Sequence, residues 1–249
     1  MRDNLDSIRK KIKSNKPSIG AWMQIPSSDI AELFCAVKKF DWITLDLEHG
    51  NFLGVDFSNI IRAIEKFKKI PLVRLSNKNQ ENLSEILDAG IRGFIIPMID
   101  NKKDLEKVIS RSFYPPLGNR GVGFSRSNGF GKSLKKNLTF RPLIIAMIEN
   151  KSALTNIDEI LSTKYLDGIF IGPYDLSASL GVTGKFKSKI FLNALKMIRQ
   201  KCIKKKCAFG IHIINPDFSE LSKKKNQGYN FLAFSMDSVL IRSSLSNLK

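Results

Sequence analysis

Uninterrupted apolar runs alternate with amphipathic segments along almost the whole chain. Eight runs read as strands: Ser18–Gln24, Trp42–Leu47, Pro71–Leu75, Gly93–Met98, Leu143–Ile148, Gly168–Gly172, Ala208–Ile214 and Phe231–Phe234. Between them, helical patterning covers Ser28–Lys38, Phe57–Lys68, Gln80–Ala89, Lys102–Arg111, Leu154–Leu161, Ile190–Lys205 and Pro216–Lys225, with a last segment from Asp237 to the C-terminus. The strand runs are apolar at successive positions, as strands covered on both faces are. Eight strand–helix units predict an α/β protein with parallel strands, and their number predicts a closed (β/α)8 TIM barrel, a single domain over residues 1–249. An open doubly wound sheet is the alternative. It is weakened because no glycine-rich dinucleotide turn follows the first strand.

One stretch breaks the rhythm. Residues 113–141 form a connection rich in glycine, proline and arginine. Gly118, Gly121, Gly123 and Gly129 among Arg120 and Arg126 suit a loop that approaches an anionic ligand, and a mobile surface loop fits the same residues. The GKS at 131–133 lacks the upstream glycine of a phosphate-binding loop.

Barrel chemistry sits at the C-terminal strand ends. In order, those ends offer Trp22 and Gln24, then Asp46-Leu47-Glu48-His49-Gly50, Arg74, Pro97-Met98, Glu149, and Gly172-Pro173-Tyr174-Asp175. Glu149 and Asp175 end consecutive strands. Taken singly, Glu149 reads as a helix cap and Asp175 as a turn residue. Taken together, they are two hard oxygen donors suited to a divalent cation such as Mg²⁺ or Mn²⁺, which leaves positions open for substrate. Arg74 offers a planar fork for a carboxylate or keto acid, against the plainer reading of a structural ion pair. None of the strand runs contains lysine, so a Schiff base has no obvious candidate.

Charge changes this picture little. The net charge of +18 is mostly lysine in short dispersed runs without interleaved aromatics, which reads as a solvated surface and not as a specific nucleic-acid site. Three cysteines make no disulfide framework, and only two histidines argue against a zinc cluster. The charged N-terminus has no signal-peptide core, and no apolar run reaches the ~18 residues of a membrane span, so a soluble cytoplasmic protein with no membrane partner is expected.

Six segments resemble the HpcH/HpaI aldolases, class II pyruvate aldolases of the phosphoenolpyruvate-binding barrel superfamily. They are FDWITLDLEHG (40–50), PLVRLS (71–76), ILDAGIRGFIIPM (86–98), YPPLGNRGVG (114–123), IEN (148–150) and LDGIFIGPYDLSASLG (166–181), in family order. The resemblance implies Glu149 and Asp175 as metal ligands for Mg²⁺, Mn²⁺ or Co²⁺, and Arg74 as the residue holding the pyruvate carbonyl and enolate oxygen. It implies His49, oriented by Asp46, as an acid–base dyad, and Asp88 as a carboxylate contributed across a subunit contact. Backbone amides from Gly172 through Pro173 and Tyr174 to Asp175 would receive the pyruvate carboxylate, and Trp22 would line the aldehyde pocket. It further implies a homo-hexamer, a trimer of dimers that exchange their last helix. Met147 departs from the pattern, standing where the family often has glutamine; a thioether is a poor Mg²⁺ ligand.

The expected reaction is reversible cleavage of a 4-hydroxy-2-oxo acid, such as a 2-keto-3-deoxy sugar acid or a 2,4-dihydroxy-hept-2-enedioate-like compound, to pyruvate and an aldehyde. An acyl-CoA lyase of the citrate lyase β-subunit type is the alternative, and a barrel that has lost catalysis and serves as a binding protein is the third.

Overall fold

The computed structural model describes residues 2–52 and 57–246. A helix, α1 (Arg2–Lys13), precedes β1 (Ser18–Met23), α2 (Ser28–Cys35), β2 (Trp42–Asp46), α3 (Phe57–Lys66), β3 (Ile70–Arg74), α4 (Leu83–Ala89) and β4 (Gly93–Ile96). Then come α5 (Lys102–Ser112), α6 (Leu134–Leu138), β5 (Leu143–Ile148), α7 (Lys151–Thr155), α8 (Ile157–Leu161), β6 (Gly168–Ile171) and α9 (Pro173–Ser179). The chain finishes with α10 (Lys189–Lys205), β7 (Ala208–Ile213), α11 (Phe218–Asn226), β8 (Phe231–Met236) and α12 (Asp237–Leu245). The strands close into a barrel in the order β1 to β8, every pair parallel. The TIM barrel expected from the sequence is the fold observed, and strand boundaries shift by no more than two residues.

Apolar residues fill two layers. Outward-facing strand residues pack against the helices, as Ile43, Leu45, Phe94, Ile144 and Ile169 do. Inward-facing residues, including Trp22, Trp42, Leu72, Ile145, Phe170 and Phe231, fill the barrel itself. Trp42 stacks on Phe231 with ring centroids 4.5 Å apart. Gly20 makes room for that indole, because a Cβ there would lie 2.1 Å from the Trp42 ring.

Helix α1 is absent from the elements that the apolar pattern predicts, because its high charge masks the spacing of its few apolar residues. Its Leu5, Ile8 and Ile12 recur at helical spacing and join the barrel-interior cluster. The helix thus closes the N-terminal mouth. Arg9 clamps it with Nε at 2.8 Å and Nη2 at 3.1 Å from the Asp167 carboxylate, while Lys11 Nζ lies 2.5 and 2.7 Å from the two Asp41 oxygens.

The 113–141 connection is ordered by its own polar groups. Asn128, fully buried, accepts from the Ser125 and Gly131 N–H groups and donates to the Gly123 carbonyl at 2.7 Å. The arginines expected to face an anion are already paired. Arg120 is 3% exposed and bonded to Asp88, and Arg126 bonds Glu65 and the Ala89 carbonyl. The expectation of an anion-approaching loop is therefore corrected for both residues: their guanidinium groups tie this segment to α3 and α4. Among the described residues no helix is long and apolar enough to cross a membrane.

Candidate active site

The C-terminal mouth opens into a cavity of about 330 Å³. Its walls include Trp22 of β1 and Gln24 just after it, His49 after β2, Arg74 of β3, Met147 of β5, Phe170 to Asp175 around β6, His212 of β7 and Ile214 just after it, and Met236 of β8. Alternation explains the choice. A strand covered by helices on one face sends every second side chain inward, so the last inward residue of each strand meets the mouth.

Asp46 is the anchor of this end. It is fully buried, and Arg74 grips it with Nε 2.8 Å from Oδ1 and Nη2 2.5 Å from Oδ2. The third guanidinium nitrogen, Nη1, reaches Glu48 Oε2 at 2.9 Å. Asp46 also accepts from the Glu48 and His49 backbone N–H groups and from Gln24 Nε2. Burial would raise its carboxyl pKa, but the Arg74 hydrogen bonds and charge outweigh burial and hold it below the ordinary range. The expected dyad differs in one respect. Asp46 bonds the backbone of His49 and not its ring, so it fixes the loop that carries the imidazole while spending its carboxylate oxygens on Arg74.

Glu149 is 4% exposed at the end of β5. It does not cap the following helix, since the Asn150 side chain does that by accepting from the Ala153 N–H. Its Oε1 instead accepts from the backbone N–H of Met98, a residue at the left-handed φ of 54°. Such a backbone is disfavoured without glycine and marks a place where geometry is imposed from outside. Gly172 faces Glu149, and a Cβ there would lie 2.7 Å from Oε2, so only glycine leaves this carboxylate its room. Burial pushes the Glu149 pKa up to about 7, the Met98 N–H opposes that, and the charges of Glu48 and Asp175 add to it. Glu48 is raised as well, by burial first.

Asp175 lies in the first turn of α9, where Pro173 starts the helix. It lines the cavity beside Gly172, Pro173 and Tyr174, the positions expected at the substrate carboxylate. Trp22 is 2% exposed and supports the Arg74 guanidinium, whose carbon lies 5.3 Å from the ring centroid. Met147 lines the same cavity, as its inward register requires. Asp88 stands apart from these residues within one chain, on α4 with Arg120. Two polar contributors escaped the sequence reading. Glu48 gains its role only through its contact with Arg74, and the sequence signal for His212 is the alternation Ala208, Gly210, His212 along β7.

Among the described residues, no three His, Cys, Asp or Glu side chains are grouped to hold a metal ion by themselves. The donor set that is present, Glu149 and Asp175 repelling each other across Gly172, fits a hard cation that takes few protein ligands.

Residues 19–244 match the family model described as HpcH/HpaI aldolase/citrate lyase. The chain belongs to this family. Relatives include the 2-keto-3-deoxy-L-rhamnonate aldolase of Salmonella gallinarum (strain 287/91 / NCTC 13346), 30% identical over 96% of this chain and 90% of that protein. The Escherichia coli K12 protein of the same name is 29% identical at the same coverage. Among solved structures, an HpcH/HpaI aldolase/citrate lyase family protein from Burkholderia cenocepacia J2315 superposes with a TM-score of 0.88 at 26% identity, covering 97% of each chain. As an HpcH/HpaI family member with aldolase relatives, the protein is a carbon–carbon lyase of the aldolase type, from a family in which divalent-metal dependence is typical.

Proposed function

We propose that the protein reversibly cleaves a 4-hydroxy-2-oxo acid of the 2-keto-3-deoxy sugar-acid class to pyruvate and an aldehyde, with a divalent cation held by Glu149 and Asp175. The observation that carries this reading is Glu149, a buried carboxylate crowded by Glu48 and Asp175, while the adjacent cation, Arg74, is committed to Asp46 and Glu48. A bound cation would supply positive charge to the carboxylate and keto oxygens of the 2-oxo acid.

The chain's own groups then do the remaining work. Arg74, held rigid by Asp46, Glu48 and the Trp22 face, presents fixed positive charge to the oxygen on which the pyruvate enolate forms. The Tyr174 and Asp175 N–H groups belong to the first helical turn, where backbone donors lack intrahelical partners, and they suit the substrate carboxylate. His49, exposed at the cavity edge, takes the proton of the 4-hydroxyl as the C3–C4 bond breaks to aldehyde and enolate. The enolate carbon then takes a proton from water at the open mouth to become the pyruvate methyl, and each transfer reverses in the condensation direction. In this reading Asp88 and the exposed Ile241 and Leu245 of α12 serve contacts between copies in a homo-oligomer, which light scattering would measure directly.

Pyruvate alone tests the chemistry. Its methyl protons should exchange for deuterium in D₂O with Mg²⁺, Mn²⁺ or Co²⁺ present, read as loss of the methyl NMR signal, and should stop exchanging after chelation. Persistence of the signal with folded, metal-loaded protein removes the pyruvate aldolase reading. An acyl-CoA lyase would leave free pyruvate unchanged.

A further inference from the structure

The cavity walls divide by strand. Met147 and the Gly172–Asp175 turn come from β5 and β6, with His49 and Arg74 from β2 and β3 opposite. The remaining wall is made by Trp22, Gln24, His212, Ile214 and Met236, from β1, β7 and β8. Under the function proposed above, on which this inference rests, the 2-oxo-acid end of the substrate occupies the carboxylate and arginine side. Its later carbons then lie against the β7–β8–β1 wall.

That wall carries two polar side chains, Gln24 and His212. Gln24 is engaged at both ends, its Nε2 donating to Asp46 at 3.3 Å and its Oε1 accepting from the Ser238 hydroxyl at 2.9 Å. His212 is engaged at one end only. Its Nε2 lies 3.1 Å from the carbonyl oxygen of Ser235. A carbonyl can only accept, so Nε2 carries the proton and Nδ1 is left as a bare acceptor. Among the described residues nothing donates to Nδ1. The ring is held in place, stacked on Trp22 at 4.9 Å with 29° between planes. Ser235 meets it from a left-handed φ of 55°, unusual for serine at a strand end and the mark of an imposed conformation. Burial pushes the imidazole pKa down to about 4; the Ser235 carbonyl opposes this and the nearby Arg74 charge reinforces it, so the ring is neutral near pH 7.

The geometry points to His212 as a specificity-determining residue, whose Nδ1 accepts a hydrogen bond from a hydroxyl on the aldehyde-derived half of the substrate. The aldehydes so favoured are 2-hydroxyaldehydes, whose hydroxyl becomes the 5-hydroxyl of the 4-hydroxy-2-oxo acid. The surrounding Trp22, Ile214 and Met236 offer that hydroxyl no competing partner, so an analogue without it forfeits a bond that nothing replaces.

The test compares glycolaldehyde with acetaldehyde as acceptors for pyruvate, using kcat/KM for each. Wild type should prefer glycolaldehyde by about tenfold or more. His212→Phe keeps an aromatic face for Trp22 but has no acceptor, so it should bring the ratio near one. His212→Asn, whose amide oxygen can stand where Nδ1 stood, should keep part of the preference. A merely structural role would lower both rates together and leave the ratio intact, which overturns the inference. So does a wild-type ratio near one. For any variant without turnover, calorimetric binding of 5-hydroxy-2-oxopentanoate against 2-oxopentanoate to the Mg²⁺-loaded protein reads the same ratio, with the same two outcomes. Wild-type deuterium exchange with pyruvate alone reports on the aldolase reading separately, since it involves no aldehyde.

Discussion

The two mouths of this barrel are built from the same strands and treat charge in opposite ways. At the N-terminal mouth, α1 inserts Leu5, Ile8 and Ile12, each no more than 3% exposed, and its cations meet matched carboxylates: Arg9 with Asp167 and Lys11 with Asp41. At the C-terminal mouth the one nearby guanidinium, Arg74, is already spoken for by Asp46 and Glu48, while the charges of Glu48 and Asp175 bear on the buried Glu149 carboxylate. The closed end spends its polar groups on itself, so changes there are felt as stability. The open end leaves carboxylates mutually repelling and an imidazole nitrogen bare, so changes there are felt as activity.

Four measurements would break or sharpen that contrast. The largest effect is expected for Glu149→Gln. It should lower turnover by about a thousandfold or more, as loss of a charged group stabilising the reacting centre does, while the melting temperature of metal-free protein holds or rises. A variant that melts far lower would place Glu149 with the structural pairs instead. Arg74→Lys comes next, with turnover expected to fall about a hundredfold because a point charge cannot reproduce the fork shared by Asp46 and Glu48. Denaturant unfolding should also show some destabilisation, since Asp46 is fully buried and loses half its grip.

At the other mouth, Ile8→Ala should cost about 2–5 kcal/mol in urea unfolding, from lost burial plus a cavity, with KM for the 2-oxo acid unchanged. A shifted KM would mean that the floor of the barrel is coupled to its rim. The smallest effect concerns pH. His212 has its folded pKa near 4, below the ordinary value of 6.5, so the unfolded chain binds the proton more readily between those limits. Its contribution is fully present above pH 6.5 and is lost as pH falls toward 4, at most about 3 kcal/mol. His212→Asn should flatten stability over that window, measured by melting at successive pH values; an unchanged slope would show that another group titrates there.

The sequence exposed one mouth better than the other. Glu149, Arg74 and Asp46 were readable because each lies at the end of an apolar run, and Asp175 because it follows one by three residues; in a parallel barrel the ends of runs are the rim. His212 was not read because it sits inside its run, where only the inward register separates a cavity residue from a packing one. Glu48 was legible as a carboxylate but not as a partner, because its 2.9 Å contact with Arg74 joins two neighbouring strands. Helix α1 was hidden by its own charges, which pair with residues 30 and more than 150 positions away.

What the sequence alone determined here is periodic: eight apolar runs, helices between them, and carboxylates at their ends. Those features follow from backbone hydrogen bonding and burial, which act over a few residues and leave a regular trace. Tertiary structure decided the pairings. Asp46 took Arg74 instead of the His49 ring, Arg120 and Arg126 were drawn into the scaffold, and Ser235 fixed the tautomer of His212. Each of these is a competition among groups brought within about 3 Å by barrel closure, and local sequence holds no record of which partner arrives first or fits best.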